Sequence, residues 1–370
     1  MILYQGLLRS PASWARVGRG YLGELLHLGI DVCAVATRGF RYDERFPLPP
    51  GLVEYTPREA RREFESAVGL GFLHPPHIER LIGTPRLNLF VWEADRVPPT
   101  WIDALERGVD TVLVPSTFAR EAMVSSGFPE ERVVRVPYGY DHRTLKSAAT
   151  LVDRVESAGG GPFMFLAVVA PHRRKGVEEL CRAYRQAFTK SDDVLLRVKT
   201  TYDPGSSGRR FAFEIPSWDS LLGATGLKSD DAPPVVVDVC TLDDGEMLDQ
   251  YASAHVVVQP SSGESFGLAS LEGAALGRAV VATDWGGHCD FLPAGPDRIG
   301  YRLERASDQL YEPVPEACVA MIDIDALAGR LRWHYDHPTE SLQVGQTLRA
   351  HVAEWTWEAA THSLLDALTG

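Results

Sequence analysis

The sequence predicts an α/β protein built from two doubly wound parallel-sheet domains. Short apolar, β-rich runs alternate with helical patterns of about ten residues, the signature of buried parallel strands joined by crossover helices. That alternation runs twice along the chain, and Ala, Ser and a Gly-Gly-Gly triplet interrupt it at 147–161. A length of 370 residues accommodates two domains of ordinary size with a cleft between them.

In the first half, strands are expected over 1–5, 30–36, 68–73, 87–92, 111–114 and 132–136, with helices over 14–27, 75–81, 100–107 and 118–126. The opening Met1-Ile-Leu-Tyr-Gln-Gly has no basic lead and no cleavage pattern, so it reads as a strand rather than a signal peptide. In the second half, strands are expected over 163–169, 194–199, 235–239, 255–259 and 279–282, and helices over 177–188, 245–251 and 268–276. Asp203-Pro-Gly-Ser-Ser-Gly208 within 202–208 has the composition of a mobile loop. The chain ends in helical pattern, over 325–337 and 341–368. The domains then divide as 1–150 and 151–344. No solenoid or propeller period occurs.

Composition narrows the class. Apolar residues make up 45%, as in a globular protein. No apolar run approaches the roughly 18–20 residues of a membrane span. Cys33, Cys181, Cys240, Cys289 and Cys318 are scattered and form no C-x-x-C pair, which fits reduced thiols and a cytoplasmic setting. Through Ser147 there are 18 basic and 18 acidic residues; the remainder holds 19 and 32, so all of the net charge of −13 lies in the second half. That balance argues against a nucleic-acid partner while leaving room for a local basic pocket. Arg58-Glu-Ala-Arg-Arg-Glu63 reads as a solvated helix face, and nothing else supports membrane contact.

Ligands of doubly wound domains gather at the carboxyl ends of the strands. In the second half those ends fall at 170–175, 199–202, 240–242 (closing on Leu242), 264–268 and 285–290. They bring Arg173, Arg174, Lys175 and Lys199 to the same rim as Glu264. Within Glu264-Ser-Phe-Gly-Leu-Ala-Ser-Leu-Glu272, the N–H groups of Phe266, Gly267 and Leu268 open a helix, where orphan donors and the helix dipole favour an anion. Ser265 lies in the turn. Glu272 shares a face with Leu268 and Leu276, and a carboxylate on such a stripe needs polar partners such as ligand hydroxyls. The combination suggests a phosphate flanked by sugars.

This segment resembles the E-x7-E motif of retaining glycosyltransferases of the family 4 type. The likeness continues through Gly277-Arg-Ala-Val-Val-Ala-Thr283, Gly286-Gly287-His288-Cys289-Asp290 and Arg174-Lys175-Gly176-Val-Glu-Glu-Leu180. Earlier in the chain it takes in Trp92-Glu-Ala-Asp-Arg-Val-Pro98, Val114-Pro-Ser-Thr-Phe-Ala-Arg120 and Val136-Pro-Tyr-Gly-Tyr-Asp141. The resemblance implies a GT-B fold of two Rossmann-like domains, the first completed by a final helix within 345–370 that Trp355-Thr-Trp-Glu358 introduces. It implies transfer of a sugar from a nucleotide-diphosphate donor to an acceptor hydroxyl, with retention and without a metal or other cofactor. Glu264 would meet sugar hydroxyls and Glu272 the ribose. Lys175 matches the family's diphosphate lysine. The accompanying arginine is replaced by Ala170, a charge that Arg173 or Arg174 would have to supply.

On the acceptor side stand Ser10 and Trp14, in a loop where Pro11 and Ala12 replace the family's glycine openness, together with Trp92 and Glu93 at another strand end. His74 follows a strand and is a candidate to polarise a sugar hydroxyl or relay a proton. The acceptor itself, a saccharide, glycolipid or small molecule, is not legible. Asp323-Ile-Asp325 precedes a helix and reads as its cap rather than a metal site. His74-Pro-Pro-His77 and His334-Tyr-Asp-His337 lack a completing ligand set. Alternatives are a nucleotide-sugar epimerase of the same fold and a non-catalytic nucleotide-sugar-binding protein.

Overall fold

The computed structural model describes residues 1–37, 42–143, 161–204, 211–306 and 309–369. All but the last residue of the expected break at 147–161, and 205–208 of the expected loop at 202–208, lie outside the described residues. The chain forms two compact units, Met1–Asp141 with Trp355–Gly370, and His142–Glu354.

In the first unit, β1 (Ile2–Gln5), β2 (Val32–Val35), β3 (Val53–Tyr55), β4 (Val68–Gly71), β5 (Arg86–Leu89), β6 (Thr111–Val114) and β7 (Val133–Arg135) make a parallel sheet in the order β3-β2-β1-β4-β5-β6-β7. Leu3, Tyr4, Leu22, Leu25, Val112 and Leu113 are fully buried at its centre. The strands expected from periodicity form, trimmed at their ends. β3 was not expected: it is a three-residue edge strand, and Val53 is 53% exposed, so it leaves no apolar run to detect. The segment expected as a helix at 75–81 is a 3-10 helix, Pro75–Arg80. Its two prolines lack N–H donors, and Leu81 N donates to Ile78 O at 3.0 Å in the tighter pattern.

In the second unit, β8 (Phe163–Val168), β9 (Val194–Thr200), β10 (Val235–Val239), β11 (Val256–Gln259), β12 (Ala279–Thr283) and β13 (Arg298–Ile299) are parallel in the order β10-β9-β8-β11-β12-β13. From β8 the chain proceeds outward to β9 and β10; from β11 it proceeds the other way to β12 and β13. The order therefore reverses between β8 and β11, and ligand crevices of open α/β sheets lie at such a switch point, outside the carboxyl ends of the strands. A hairpin of β14 (Tyr301–Arg305) and β15 (Cys318–Ile322) follows; β14 is exposed throughout and carried no strand signal.

The helix expected over 325–337 forms as Ile324–Asp336, and Asp323 caps it by accepting from Ala326 N at 3.0 Å. The single segment expected over 341–368 is instead two helices, Pro338–His351 and Trp357–Thr369. Between them the backbone pairs with Tyr140, which donates to Trp355 O at 3.0 Å and accepts from Trp357 N at 3.1 Å. Those bonds draw the final helix into the first unit, where Trp357 packs edge-on against Tyr21. Among the described residues, no helix is long and apolar enough to cross a membrane.

Candidate functional site

The two strands flanking the switch point of the second unit supply its charged groups. After β8 the chain turns through a 3-10 helix, Arg173–Lys175, and enters helix Val177–Ala187 through Gly176, whose φ is 64°. After β11 it runs through 260–267 and enters helix Leu268–Ala275 through Gly267, whose φ is 95°. Glycine takes both left-handed positions without the strain a Cβ imposes.

The two turns are bonded to each other. Ser262 N donates to Arg174 O at 2.7 Å, and Arg174 Nη1 donates to Gly263 O at 3.1 Å. Lys175 Nζ forms an ion pair with Glu264 Oε1, to which Ser261 Oγ also donates at 2.9 Å. The paired side chains are 17% and 12% exposed, so the pair is largely shielded but reachable from solvent. Burial pushes the Glu264 carboxyl up, yet the charges of Lys175 and Arg174 and the hydrogen bonds from Lys175 and Ser261 outweigh it, and its pKa lies below the ordinary value. Glu264 is therefore an anion at neutral pH, held by a cation at the head of a helix.

A third turn closes this arrangement from below. Gly287 N donates to Glu264 O at 2.7 Å, and a Cβ on Gly287 would lie 2.0 Å from Ser265 O. His288 is fully buried, and its Nε2 meets Thr283 O at 2.6 Å. Burial lowers its pKa, while the bond to Thr283 and the nearby Glu264 charge act in the opposite sense.

Of the other expected residues in this unit, Ser265 and Phe266 are buried, Phe266 against Phe291 with ring centroids 5.2 Å apart. Leu268 begins the helix, and Glu272 is 3% exposed one turn further in. Leu242 is half-buried just beyond β10. Lys199 is 2% exposed and points along the strand ends: its ammonium donates to Thr200 O at 2.9 Å and Cys240 O at 2.6 Å. Arg173 is exposed, with Nε donating to Glu214 O at 3.3 Å, whereas Arg174 is 6% exposed behind Glu264. Ala170 leaves its position without a charge. Ser261 and Ser262 escaped notice as contributors, whereas Gly287 and His288 were read within the rim segment 285–290 but given no role of their own.

In the first unit, His74 is half-buried, edge-on to Trp101 at 4.3 Å, and burial and His77 lower its pKa. Trp92 is fully buried, 5.1 Å from Trp101, and Glu93 is 8% exposed. Ser10 is fully buried and shapes its own loop, accepting from Ala12 N at 3.2 Å while its carbonyl accepts from Arg19 at 3.1 Å. Trp14 stacks on Phe72 at 5.7 Å.

Comparison with known proteins gives concordant findings. A family model described as Family 4 Glycosyltransferase in conflict systems matches residues 118–364. A D-inositol 3-phosphate glycosyltransferase of Arthrobacter sp. is 35% identical over 56% of this chain and 42% of its own length. The sulfoquinovosyl transferase SQD2 of Arabidopsis thaliana is 30% identical over 72% of this chain and 46% of its own. The chain thus spans less than half the length of these curated relatives. Among solved structures, HepE of Anabaena, crystallised with UDP and glucose, superposes with a TM-score of 0.70 at 13% identity, covering 100% of this chain and 99% of its own. WaaG, a glycosyltransferase involved in lipopolysaccharide biosynthesis, gives 0.69 at 13% identity with both chains covered 100%. The architecture is the GT-B fold.

Proposed function

The chain belongs to the family 4 glycosyltransferases in conflict systems, and on that premise we propose that it transfers a sugar from a nucleotide-diphosphate donor to an acceptor hydroxyl with retention of configuration. The observation that carries this reading is the Lys175–Glu264 pair at the switch point, beside the amino terminus of helix Leu268–Ala275.

The demanding step is departure of the nucleoside diphosphate while positive charge develops on the sugar ring. In this proposal Lys175 exchanges Glu264 for phosphate oxygens, and the helix N–H groups face the same anion. Glu264, released, accepts hydrogen bonds from sugar hydroxyls, and Glu272 holds the ribose. Arg173, the exposed cation of the turn, supplies the charge that Ala170 cannot. With those cations in place, the leaving group is neutralised without a metal ion, and activity should survive a chelator. Attack from the leaving-group face, with the donor phosphate taking the acceptor proton, accounts for retention. UDP-sugars are the first donors to test, since HepE was crystallised with UDP and glucose. One relative is named for D-inositol 3-phosphate and another for the sulfoquinovosyl group it transfers, so acceptor class is the open half of the proposal: a saccharide, a glycolipid or a small molecule. We assign to His74 the first-unit role of acting on a hydroxyl; its half-buried position after a strand and its lowered pKa support a neutral imidazole in that role.

A thermal-shift panel of UDP, GDP, ADP and TDP, then of their sugars, tests donor binding, because a ligand bound only by the folded chain raises its melting temperature. Slow donor hydrolysis, abolished in Glu264→Ala and Lys175→Ala, is the expected turnover. Loss of charge at Ala170 favours one second reading, a binder of nucleotide sugars without turnover. Binding in the panel with no hydrolysis and no transfer would select it. No response to any nucleotide would sink both.

A further inference from the structure

Residues 211–215 are fastened to the cation turn. Arg173 N donates to Phe213 O at 2.7 Å, Ile215 N donates to Pro171 O at 3.0 Å, and Arg173 Nε reaches Glu214 O at 3.3 Å. Glu214 is buried and accepts from the Tyr202 hydroxyl at 2.8 Å, and Trp218 Nε1 donates to Tyr202 O at 3.3 Å. They thus form a held strip beside His172 and Arg173 rather than a loose excursion.

That strip carries two stacked phenyl rings. Phe211 and Phe213 lie with centroids 5.2 Å apart and planes at 14°. Phe213 is braced edge-on by His172 at 5.0 Å and by Tyr311 at 6.4 Å. Phe211, at the outer end, is 52% exposed. A single exposed phenylalanine is unremarkable. A stacked pair, backed by two more rings and anchored by main-chain bonds at the rim of a ligand crevice, presents a rigid flat apolar surface.

The strip is fastened to the turn after β8, where Glu214 pairs with His172 and Arg173 N donates to Phe213 O, so the two rings stand beside that turn. With a donor's diphosphate at Lys175 and its transferred sugar at Glu264, the nucleoside is the remaining end, and its base is the flat part that a phenyl stack fits. We infer that Phe211, braced by Phe213, is the surface on which the donor's base stacks, an inference that rests on the donor reading above. Neither ring has a hydrogen-bonding group, so the platform supplies affinity without choosing between bases, as aromatic stacking does for bases in single-stranded nucleic acids.

The test titrates the full chain calorimetrically with UDP, ADP and inorganic pyrophosphate. Phe211→Ala, at an exposed position, should weaken UDP and ADP by similar factors, about tenfold each, while changing pyrophosphate by less than about twofold. Phe211→Tyr should restore nucleotide affinity. Lys175→Ala should weaken all three ligands. If Phe211→Ala binds both nucleotides as the wild type does, while Lys175→Ala weakens them, the platform is wrong and the donor site stands. Equal losses for nucleotides and pyrophosphate in Phe211→Ala would also overturn it, by locating the effect at the cation turn. If the wild type binds no nucleoside diphosphate, the donor reading fails and the platform falls with it.

Discussion

Gly176 and Pro260 touch backbone to backbone: a Cβ added to Gly176 would lie 1.9 Å from the Pro260 carbonyl oxygen. This contact allows the turn after β8 to lie on the loop after β11, and so brings Lys175 to Glu264. Gly176 also has a φ of 64°, so two separate constraints select glycine there.

Gly176→Ala should therefore cost more than left-handed strain alone, about 2–4 kcal/mol of unfolding free energy, because backbone cannot yield as a flexible side chain can. Chemical denaturation measures it. The variant should also lose the melting-temperature rise given by the nucleotide that stabilises the wild type. A stability equal to that of the parent would mean that the two turns are not packed together as described.

Lys199 gives a prediction that separates two roles. Its ammonium is buried and donates to the carbonyls of Thr200 and Cys240, joining the ends of β9 and β10. If this clamp is its work, Lys199→Met, which keeps the aliphatic stem, should destabilise the chain by about 1–3 kcal/mol. Diphosphate affinity should then change by less than about threefold, a free-energy difference under about 0.7 kcal/mol. A tenfold loss of affinity at unchanged stability would make Lys199 a donor ligand instead.

The same residue illustrates what the sequence made legible. Alternation in Val194-Leu-Leu-Arg-Val-Lys199 located a strand and its carboxyl end, since parallel strands buried on both faces leave a strong apolar signal. It could not say that the ammonium would turn sideways to neighbouring carbonyls, because that depends on β10 lying alongside. Glu264 and Lys175 were legible for the opposite reason: both stand at strand ends, and strand ends are fixed by local pattern. The parts of Ser261 and His288 were not, since they depend on which turns meet across the switch point. The hairpin of β14 and β15 was also missed; its exposed Tyr301-Arg-Leu-Glu-Arg305 strand has no buried face to impose periodicity. The first-unit candidates divide similarly. Trp92 was rightly placed near a strand end, but its complete burial follows from Trp101 packing on it.

Asp297 should make the second unit acid-sensitive. It accepts from His334 Nε2 at 2.8 Å and pairs with Arg330, while His334 Nδ1 meets Ser341 Oγ at 2.8 Å. The order Ser, His, Asp resembles a catalytic relay, but Ser341 is 2% exposed on a helix and the group holds packing rather than substrate. Burial pushes the Asp297 carboxyl up, and the bonds from His334 and Arg330 together bring it below its ordinary 3.8. A depressed carboxylate stabilises the fold above its unfolded value, and that contribution fades as pH falls through the lower, folded one. Asp297→Asn should lose about 2–3 kcal/mol at pH 7 and have a shallower stability decline below about pH 4 than the parent. Parallel decline curves would remove Asp297 from the account.

His288 predicts a second pH dependence, in a higher window. Fully buried under the Glu264 loop, it has a pKa below the ordinary histidine value of about 6.5, burial being the dominant cause. As pH falls below that value the unfolded chain binds a proton that the folded chain resists, so stability is full above about pH 6.5 and declines as pH drops toward the folded pKa. Because Gly287 is bonded to Glu264 and His288 to Thr283, the same protonation should loosen the loop that presents Glu264. His288→Asn keeps a donor for the Thr283 carbonyl but cannot titrate. Its stability should be lower than the parent's at pH 7.5, by about 1–2 kcal/mol, and change less between pH 6.5 and 5. Nucleotide affinity, measured over the same range, should fall with pH more steeply in the parent than in the variant. Identical pH profiles for both proteins would show that the buried imidazole does not govern the Glu264 loop.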